Sequence, residues 1–292
     1  RGECTVKELL VVSGKGGTGK TTIAAALAVL TQDKVIADCD VDAADLWLVL
    51  HPALIRKDAF RGLDKAIVDR NKCTGCGLCF EVCRFDAVGF EDRIAVINKD
   101  LCEGCGVCFR CCPQKAIEMK ENIAGHVMES QTKYGYMVHA QLGVGEENSG
   151  RLVAEVRKRA REAAERLDAR CVIIDGPPGI GCPVISAVTG VDMALVVTEP
   201  TVAGRHDLER ILDLLSHFKV PAVVCVNKSD LDEGRSLEIA QYCASRCVEV
   251  VGEIPFDEDV PRTLAQGQAL GTGQAAREMR RVADRVHSLM AI

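Results

Sequence analysis

The stretch Val11-Val12-Ser13-Gly14-Lys15-Gly16-Gly17-Thr18-Gly19-Lys20-Thr21-Thr22 decides the fold. An apolar strand runs into a glycine-rich loop, and an alanine-rich helix follows at once. The spacing Gly14-x4-Gly19-Lys20-Thr21 is a phosphate-binding loop. Its glycines at 14, 16, 17 and 19 let backbone N–H groups turn inward toward phosphate oxygens, and the helix N-terminus adds the positive end of its dipole. Lys20 is placed to reach the β- and γ-phosphates, and the Thr21 hydroxyl to ligate Mg²⁺. Thr18 and Thr22 complete the nucleotide-binding segment. A glycine-rich β-to-α turn with no ligand is the plain alternative, and the two lysines argue against it.

Outward from this loop the chain reads as buried parallel strands, each followed by a helix. Glu8–Ser13 is the first strand and Lys20–Leu30 its helix. Lys34–Asp38 is a near-continuous apolar run, as a strand buried on both faces requires. It ends in Cys39-Asp40-Val41-Asp42, and carboxylates at that end of an open α/β sheet face the ligand crevice. Cys171-Val172-Ile173-Ile174-Asp175 is a third such strand. Its closing aspartate is the Walker B position, which holds Mg²⁺ directly or through water. Gly176-Pro177-Pro178-Gly179 then forms a loop able to sense the γ-phosphate. Met193–Thr198, Ala222–Asn227 and Val250–Pro255 are further strands. The fold class is α/β, a P-loop NTPase with a mostly parallel sheet flanked by helices.

Lys15, a second lysine just after the first glycine, resembles the deviant phosphate loop of the nitrogenase iron protein, MinD, ParA and Mrp ATPases. In that class the extra lysine crosses a dimer interface to the partner's nucleotide. The resemblance therefore implies an ATP-dependent homodimer, or a heterodimer with a homologue. Asp40 resembles the aspartate that follows the second strand across the class and positions Mg²⁺ or the attacking water. Asn227-Lys228-Ser229-Asp230 resembles the guanine-reading N-K-x-D of small GTPases, whereas in the deviant-loop ATPases an asparagine at this strand end contacts adenine. Lys15 favours ATP, and Asp230 leaves GTP as the alternative.

Between these halves the pattern changes. Cys73-Thr74-Gly75-Cys76-Gly77-Leu78-Cys79-Phe80-Glu81-Val82-Cys83 recurs as Cys102-Glu103-Gly104-Cys105-Gly106-Val107-Cys108-Phe109-Arg110-Cys111-Cys112. Each copy reads C-x2-C-x2-C-x3-C and resembles bacterial ferredoxins that carry two [4Fe–4S] clusters. The resemblance implies one cluster on Cys73, Cys76, Cys79 and Cys112, and another on Cys102, Cys105, Cys108 and Cys83. Pro113 follows Cys112 as in ferredoxins, but Arg84 follows Cys83, a departure expected either to loosen the turn or to expose that cluster, without removing a ligand. Zinc competes for thiolates, but zinc ribbons use paired C-x2-C knuckles rather than doubled four-cysteine runs. The expected organisation is a deviant-loop ATPase domain over 1–63 and 121–292, interrupted by a small α+β ferredoxin-like domain over 64–120.

Cys182 lies seven residues after Asp175, and a cysteine at this offset in the nitrogenase iron protein ligates a cluster shared across the dimer. It is a possible extra ligand here, but the second cysteine that the arrangement needs has no match. A small residue preceding Pro183 at a helix start is the equal alternative. Cys39, Cys171 and Cys225 read as core residues.

The chain has 292 residues, 48% hydrophobic and 4% aromatic, with a net charge of −6. That charge gives no basic footprint for nucleic acid. No run of about 18 apolar residues spans a membrane. No signal segment precedes the first strand, and the start at Arg1 suggests a trimmed or engineered end. Sixteen cysteines without a secretion signal point to metal in a reducing cytoplasm.

The whole resembles MinD/Mrp-superfamily ATPases carrying an inserted ferredoxin domain. Three functions follow as expectations: an ATP-gated electron carrier serving a redox partner, a maturation factor loading a metal or Fe–S centre into a metalloprotein, and a positioning ATPase. Complete ligand runs favour the first. The only support for positioning is the amphipathic segment Gln274–Met290, whose Ala275, Met279, Val282, Val286 and Leu289 share a face. The blander reading packs that helix on the sheet.

Overall fold

The computed structural model describes residues 6–143, 146 and 149–292. The chain divides into two compact units, one formed by residues 1–57, 127–141 and 149–292, the other by residues 58–126 and 142–148.

A nine-stranded sheet runs in the order Glu249–Ile254, Ala222–Asn227, Met193–Thr198, Lys7–Ser13, Cys171–Pro178, Lys34–Asp38, Gly135–Leu142, Ile123–Thr132 and Ala53–Arg61. The pairings from Glu249–Ile254 through to Gly135–Leu142 are parallel. The loop-bearing strand is central, and its Leu9, Leu10, Val11 and Val12 are fully buried. Alternate side chains divide between two faces, as the two-residue strand period requires. Leu9, Val11, Ile173, Leu195, Val197 and Val223 pack against the helices Lys20–Leu30 and Gln274–Met290. The terminal helix buries Ala275, Met279, Val282, Ala283, Val286 and Met290 in this layer. Met290, not Leu289, completes its apolar face, and Leu289 stays 37% exposed. Arg285 holds this helix to Glu249 through two hydrogen bonds of 2.6 and 2.9 Å.

The outer strands Ala53–Arg61 and Ile123–Thr132 carry no apolar periodicity that would have announced them. Along 53–61 only Phe60 is buried. Among the described residues no helix is long and apolar enough to cross a membrane.

The second unit is built twice over. Lys65–Val68 pairs antiparallel with Ile117–Lys120, and Val88–Glu91 with Ile94–Ile97. Two short helices, Leu78–Glu81 and Val107–Cys111, follow the glycines of the cysteine runs. Gly75 and Gly104 both have positive φ, of 71° and 67°, and a Cβ at either would strike a backbone carbonyl, of Arg93 and Asp64 respectively. Glycine is thus required twice, at matching repeat positions, to bend the chain around its cysteines. The unit takes in more than 64–120. Glu146 accepts from Lys65 at 2.7 Å and from Asn122 at 2.8 Å, which ties this residue to the insert.

His139, on the strand beside Lys34–Asp38, is 7% exposed and shares a hydrogen bond of 2.9 Å with Ser130. Burial lowers its pKa to about 4. The depressed value means that the unfolded chain binds this proton more readily, so the contribution to stability is full above the unfolded pKa of 6.5 and is lost as pH falls toward 4. At about 1.4 kcal/mol per unit this amounts to roughly 3 kcal/mol. Urea denaturation across that range should show the loss, and His139→Gln should flatten the share due to this residue.

Candidate functional site

Parallel pairing sets carboxylates level at the sheet's C-terminal edge, since Asp175 stands opposite Asp38 in register. Asp40 follows two residues on, its backbone N–H donating to Asp38 Oδ1 at 3.2 Å. Lys20 opens the helix after the loop and points into this group. Its Nζ lies 2.5 Å from Asp175 Oδ1 and 3.4 Å from Asp40 Oδ2. The Lys20 side chain is 6% exposed and that of Asp175 is 1% exposed. Burial works against the Lys20 charge, but Asp175 and Asp40 outweigh it and hold the ammonium above its ordinary range. Burial likewise raises the Asp38 carboxyl well above the carboxylate range, with the Asp175 charge adding to the effect. Asp40 is raised too, by burial against the opposing pull of Lys20.

The loop is braced from two sides. Ser13 Oγ donates to Lys15 O at 2.7 Å. Asn227 Nδ2 donates to Thr18 O at 2.7 Å, and Lys228 Nζ to Gly17 O at 3.1 Å. Gly19, with φ of 87°, lies so close to the Asn227 amide that no side chain fits there. Gly14 meets Asp207 on its other side, where a Cβ would come within 2.5 Å. Gly14, Gly16, Gly17, Thr18, Gly19, Lys20, Thr21 and Thr22 thus form a fixed cradle opening the helix Lys20–Leu30. Lys15 turns aside and pairs with Glu199 at 2.7 Å.

Among the described residues the buried Thr18 Oγ1, Asp38 Oδ2 and Asp175 Oδ2 have no hydrogen-bond partner. Unpaired buried oxygens are costly, and hard oxygen donors beside a phosphate cradle are the chemistry that suits a nucleotide with Mg²⁺. Asp38 and Glu199 were not singled out from sequence. Asp38 reads as the last residue of a strand, and no sequence pattern marks Glu199. The available signal for Asp38 was its place closing an apolar strand, the same place that Asp175 holds on the strand beside it.

In the second unit Cys73, Cys76, Cys79 and Cys112 line one cavity, with Val68, Ala95 and Ile117 among its walls. Cys83, Cys102 and Cys108 pack with Cys79 on the same apolar cluster of Ala66, Val88, Ala95 and Ile117, while Cys105 is exposed. Burial raises the thiol pKa of Cys79, and that of Cys108 to about 11. Among the described residues no three His, Cys, Asp or Glu side chains close around a single metal ion. The thiolates of a cubane stand at the corners of a larger body than one ion, and four soft donors in an apolar wall fit such a group. No disulfide joins the described cysteines. Cys39, Cys171 and Cys225 are fully buried core residues. Cys182 is exposed at the start of the helix Cys182–Val188.

Lys20→Ala removes the counter-charge of a buried carboxylate group. It should cost the nucleotide-free protein about 3–5 kcal/mol at neutral pH. Because the carboxyls left behind can protonate, the deficit should shrink as pH falls. Urea denaturation of the variant and parent at two pH values measures both effects, and calorimetric titration should find nucleotide binding abolished.

Residues 9–270 match the CobQ/CobB/MinD/ParA nucleotide binding domain. An uncharacterised protein of Methanocaldococcus jannaschii is 34% identical over 264 residues, 89% of this chain and 88% of that protein. The septum site-determining protein MinD of Bacillus subtilis is 26% identical over 121 residues, 40% of this chain and 44% of that protein. MinD of Pyrococcus horikoshii, solved with Mg-ADP, shares the fold with a TM-score of 0.60 at 19% identity over 97% of each chain. The parallel sheet, the phosphate cradle and the extent of the family match lead to one assignment: the chain belongs to the CobQ/CobB/MinD/ParA nucleotide-binding family.

Proposed function

We propose that this protein is an ATP-hydrolysing iron–sulfur protein of the deviant-loop class. In this reading it forms a nucleotide-gated dimer, with itself or a homologue, that couples ATP state to electron transfer through two [4Fe–4S] clusters to a redox partner. The observation that carries the reading is the cysteine cavity: Cys112 comes from the second run, yet it shares one cavity with Cys73, Cys76 and Cys79 of the first. That exchange of the fourth cysteine is the ligand pattern of two-cluster ferredoxins. When bound, the clusters supply one-electron carriage.

In the ATPase unit Lys20 neutralises the β- and γ-phosphates. Thr21, Asp40 and Asp175 hold Mg²⁺ and orient the attacking water, and Lys15 acts on the nucleotide of the partner. Asn227 and Lys228 brace the cradle. Asp230 Oδ1 accepts a hydrogen bond of 2.6 Å from Phe256 N–H, so this acid is already engaged with its own chain. That supports ATP over GTP. A protein of the same fold, a single-substitution variant of Cyanothece McdA, is solved as an ATP complex, with a TM-score of 0.57 at 16% identity over 99% of this chain and 97% of that one. The burial of the terminal helix removes the feature that favoured a positioning ATPase. A maturation factor of the Mrp kind is the second reading, favoured by the exposure of Cys182.

Anaerobically purified protein should hold about eight irons per chain with the spectrum of [4Fe–4S] centres. Zinc, or four irons, would overturn the two-cluster assignment. Redox titration with ADP and with a non-hydrolysable ATP analogue tests the coupling. Differing potentials support electron delivery, because linkage requires reduction to shift nucleotide affinity in return. Identical potentials, with iron passing to an apo-acceptor, favour maturation.

A further inference from the structure

Glu199 directly follows the strand Met193–Thr198, and its carboxylate takes two lysines at once. Oε1 lies 2.7 Å from Lys15 Nζ, and Oε2 lies 3.2 Å from Lys228 Nζ. The side chain is 12% exposed, so the pairs are partly shielded from water. Its backbone is fixed as well. Glu199 O accepts from Thr201 N–H at 2.8 Å, and Thr201 caps the helix Val202–His217 through Gly204 N–H. Burial alone would raise the Glu199 carboxyl, but the two ammonium groups hold it below its ordinary range, so it stays charged.

We propose that Glu199 is a positioning residue that holds Lys15 within its own chain, and that ATP-driven pairing of two copies requires Lys15 to exchange Glu199 for the nucleotide of the partner. The inference rests on the role across the dimer proposed above for Lys15. A lysine tied at 2.7 Å to a shielded carboxylate is not free to project from the surface. Releasing it would ordinarily leave a buried charge unpaired, which is expensive. Here Lys228 stays on Glu199 and is itself held by Gly17 O at 3.1 Å. The exchange therefore breaks half of a two-lysine pairing, and the carboxylate keeps a counter-charge throughout. The result is a latch strong enough to hold Lys15 back until phosphate is offered, and weak enough to open.

The test is the protein concentration at which ATP drives dimerisation, measured by sedimentation for the parent, Glu199→Gln, Lys15→Ala and the double variant. Opening a partly exposed ion pair is worth a few-fold, and a dimer opens two. Glu199→Gln should therefore dimerise at about tenfold lower concentration. The double variant should stay monomeric, as Lys15→Ala does, since the gain acts only through Lys15. Glu199→Asp, too short to span both lysines, should move in the same direction by a smaller factor, and it serves if the glutamine variant fails to fold. Dimerisation of the folded Glu199 variants at or above the parent's concentration overturns the latch. So does a gain that persists without Lys15. If Lys15→Ala itself dimerises like the parent, the role of Lys15 across the interface fails, and the latch with it. If only the Glu199 variants are without effect, the latch alone fails.

Discussion

The buried ammonium of Lys20, paired with Asp175 and Asp40, is the interaction on which the site depends. Three aspartates meet at the end of adjacent parallel strands, a placement dictated by sheet register rather than by mutual affinity. Like charges gathered in a poorly solvated crevice cannot all remain ionised. Lys20 answers two of them directly, through Asp175 and Asp40. Asp38, without direct contact to that ammonium among its hydrogen bonds, is the one whose carboxyl is driven well above its range. The strain is electrostatic and local, and it marks where a phosphate-bound dication would be welcome.

The same logic extends to the rest of the loop. Its backbone is braced by the chain's own side chains, Asn227 on Thr18 O and Lys228 on Gly17 O. Pre-formed donors spare a bound nucleotide the cost of ordering them. The lysines are stored differently: Lys20 lies deep, between carboxylates that a metal could later claim, while Lys15 lies outward on Glu199. Each of these two cations is satisfied by carboxylates of the chain itself.

Much of this was legible in the sequence, and the failures have physical causes. The strands at 34–38, 193–198 and 222–227 fall where their apolar runs put them, because strands covered on both faces must be apolar throughout. Ala53–Arg61 was missed because nearly all of it is exposed, so Leu54-Ile55-Arg56-Lys57 shows neither alternation nor a run. Ile123–Thr132 mixes buried Glu129 and Ser130 with apolar residues, and its pairing partner supplies what its own pattern does not. Phosphate-loop residues and cysteines were visible because their chemistry fixes spacing along the chain. Glu199 was invisible because its partners, Lys15 and Lys228, are remote in sequence and no local rule pairs them.

The cysteine repeats show a further use of duplication. Each run sets three cysteines around a glycine turn and places a fourth, Cys83 or Cys112, beyond the short helix that follows. Cys112 lines one cavity with Cys73, Cys76 and Cys79, and it lies close to the strand Ile117–Lys120 that pairs back to Lys65–Val68. Strands on either side of the two cysteine runs are thereby joined in one ladder, and Ile117 and Val68 line the same cavity as the thiols. Closing this ladder is what delivers Cys112, so the arrangement of the thiols is a property of the folded unit as a whole. Breaking the 65–68 and 117–120 pairing would separate Cys112 from the other three even with every cysteine intact. That dependence makes the cavity sensitive to packing at Ala66 and Ile117, residues that carry no ligand chemistry of their own.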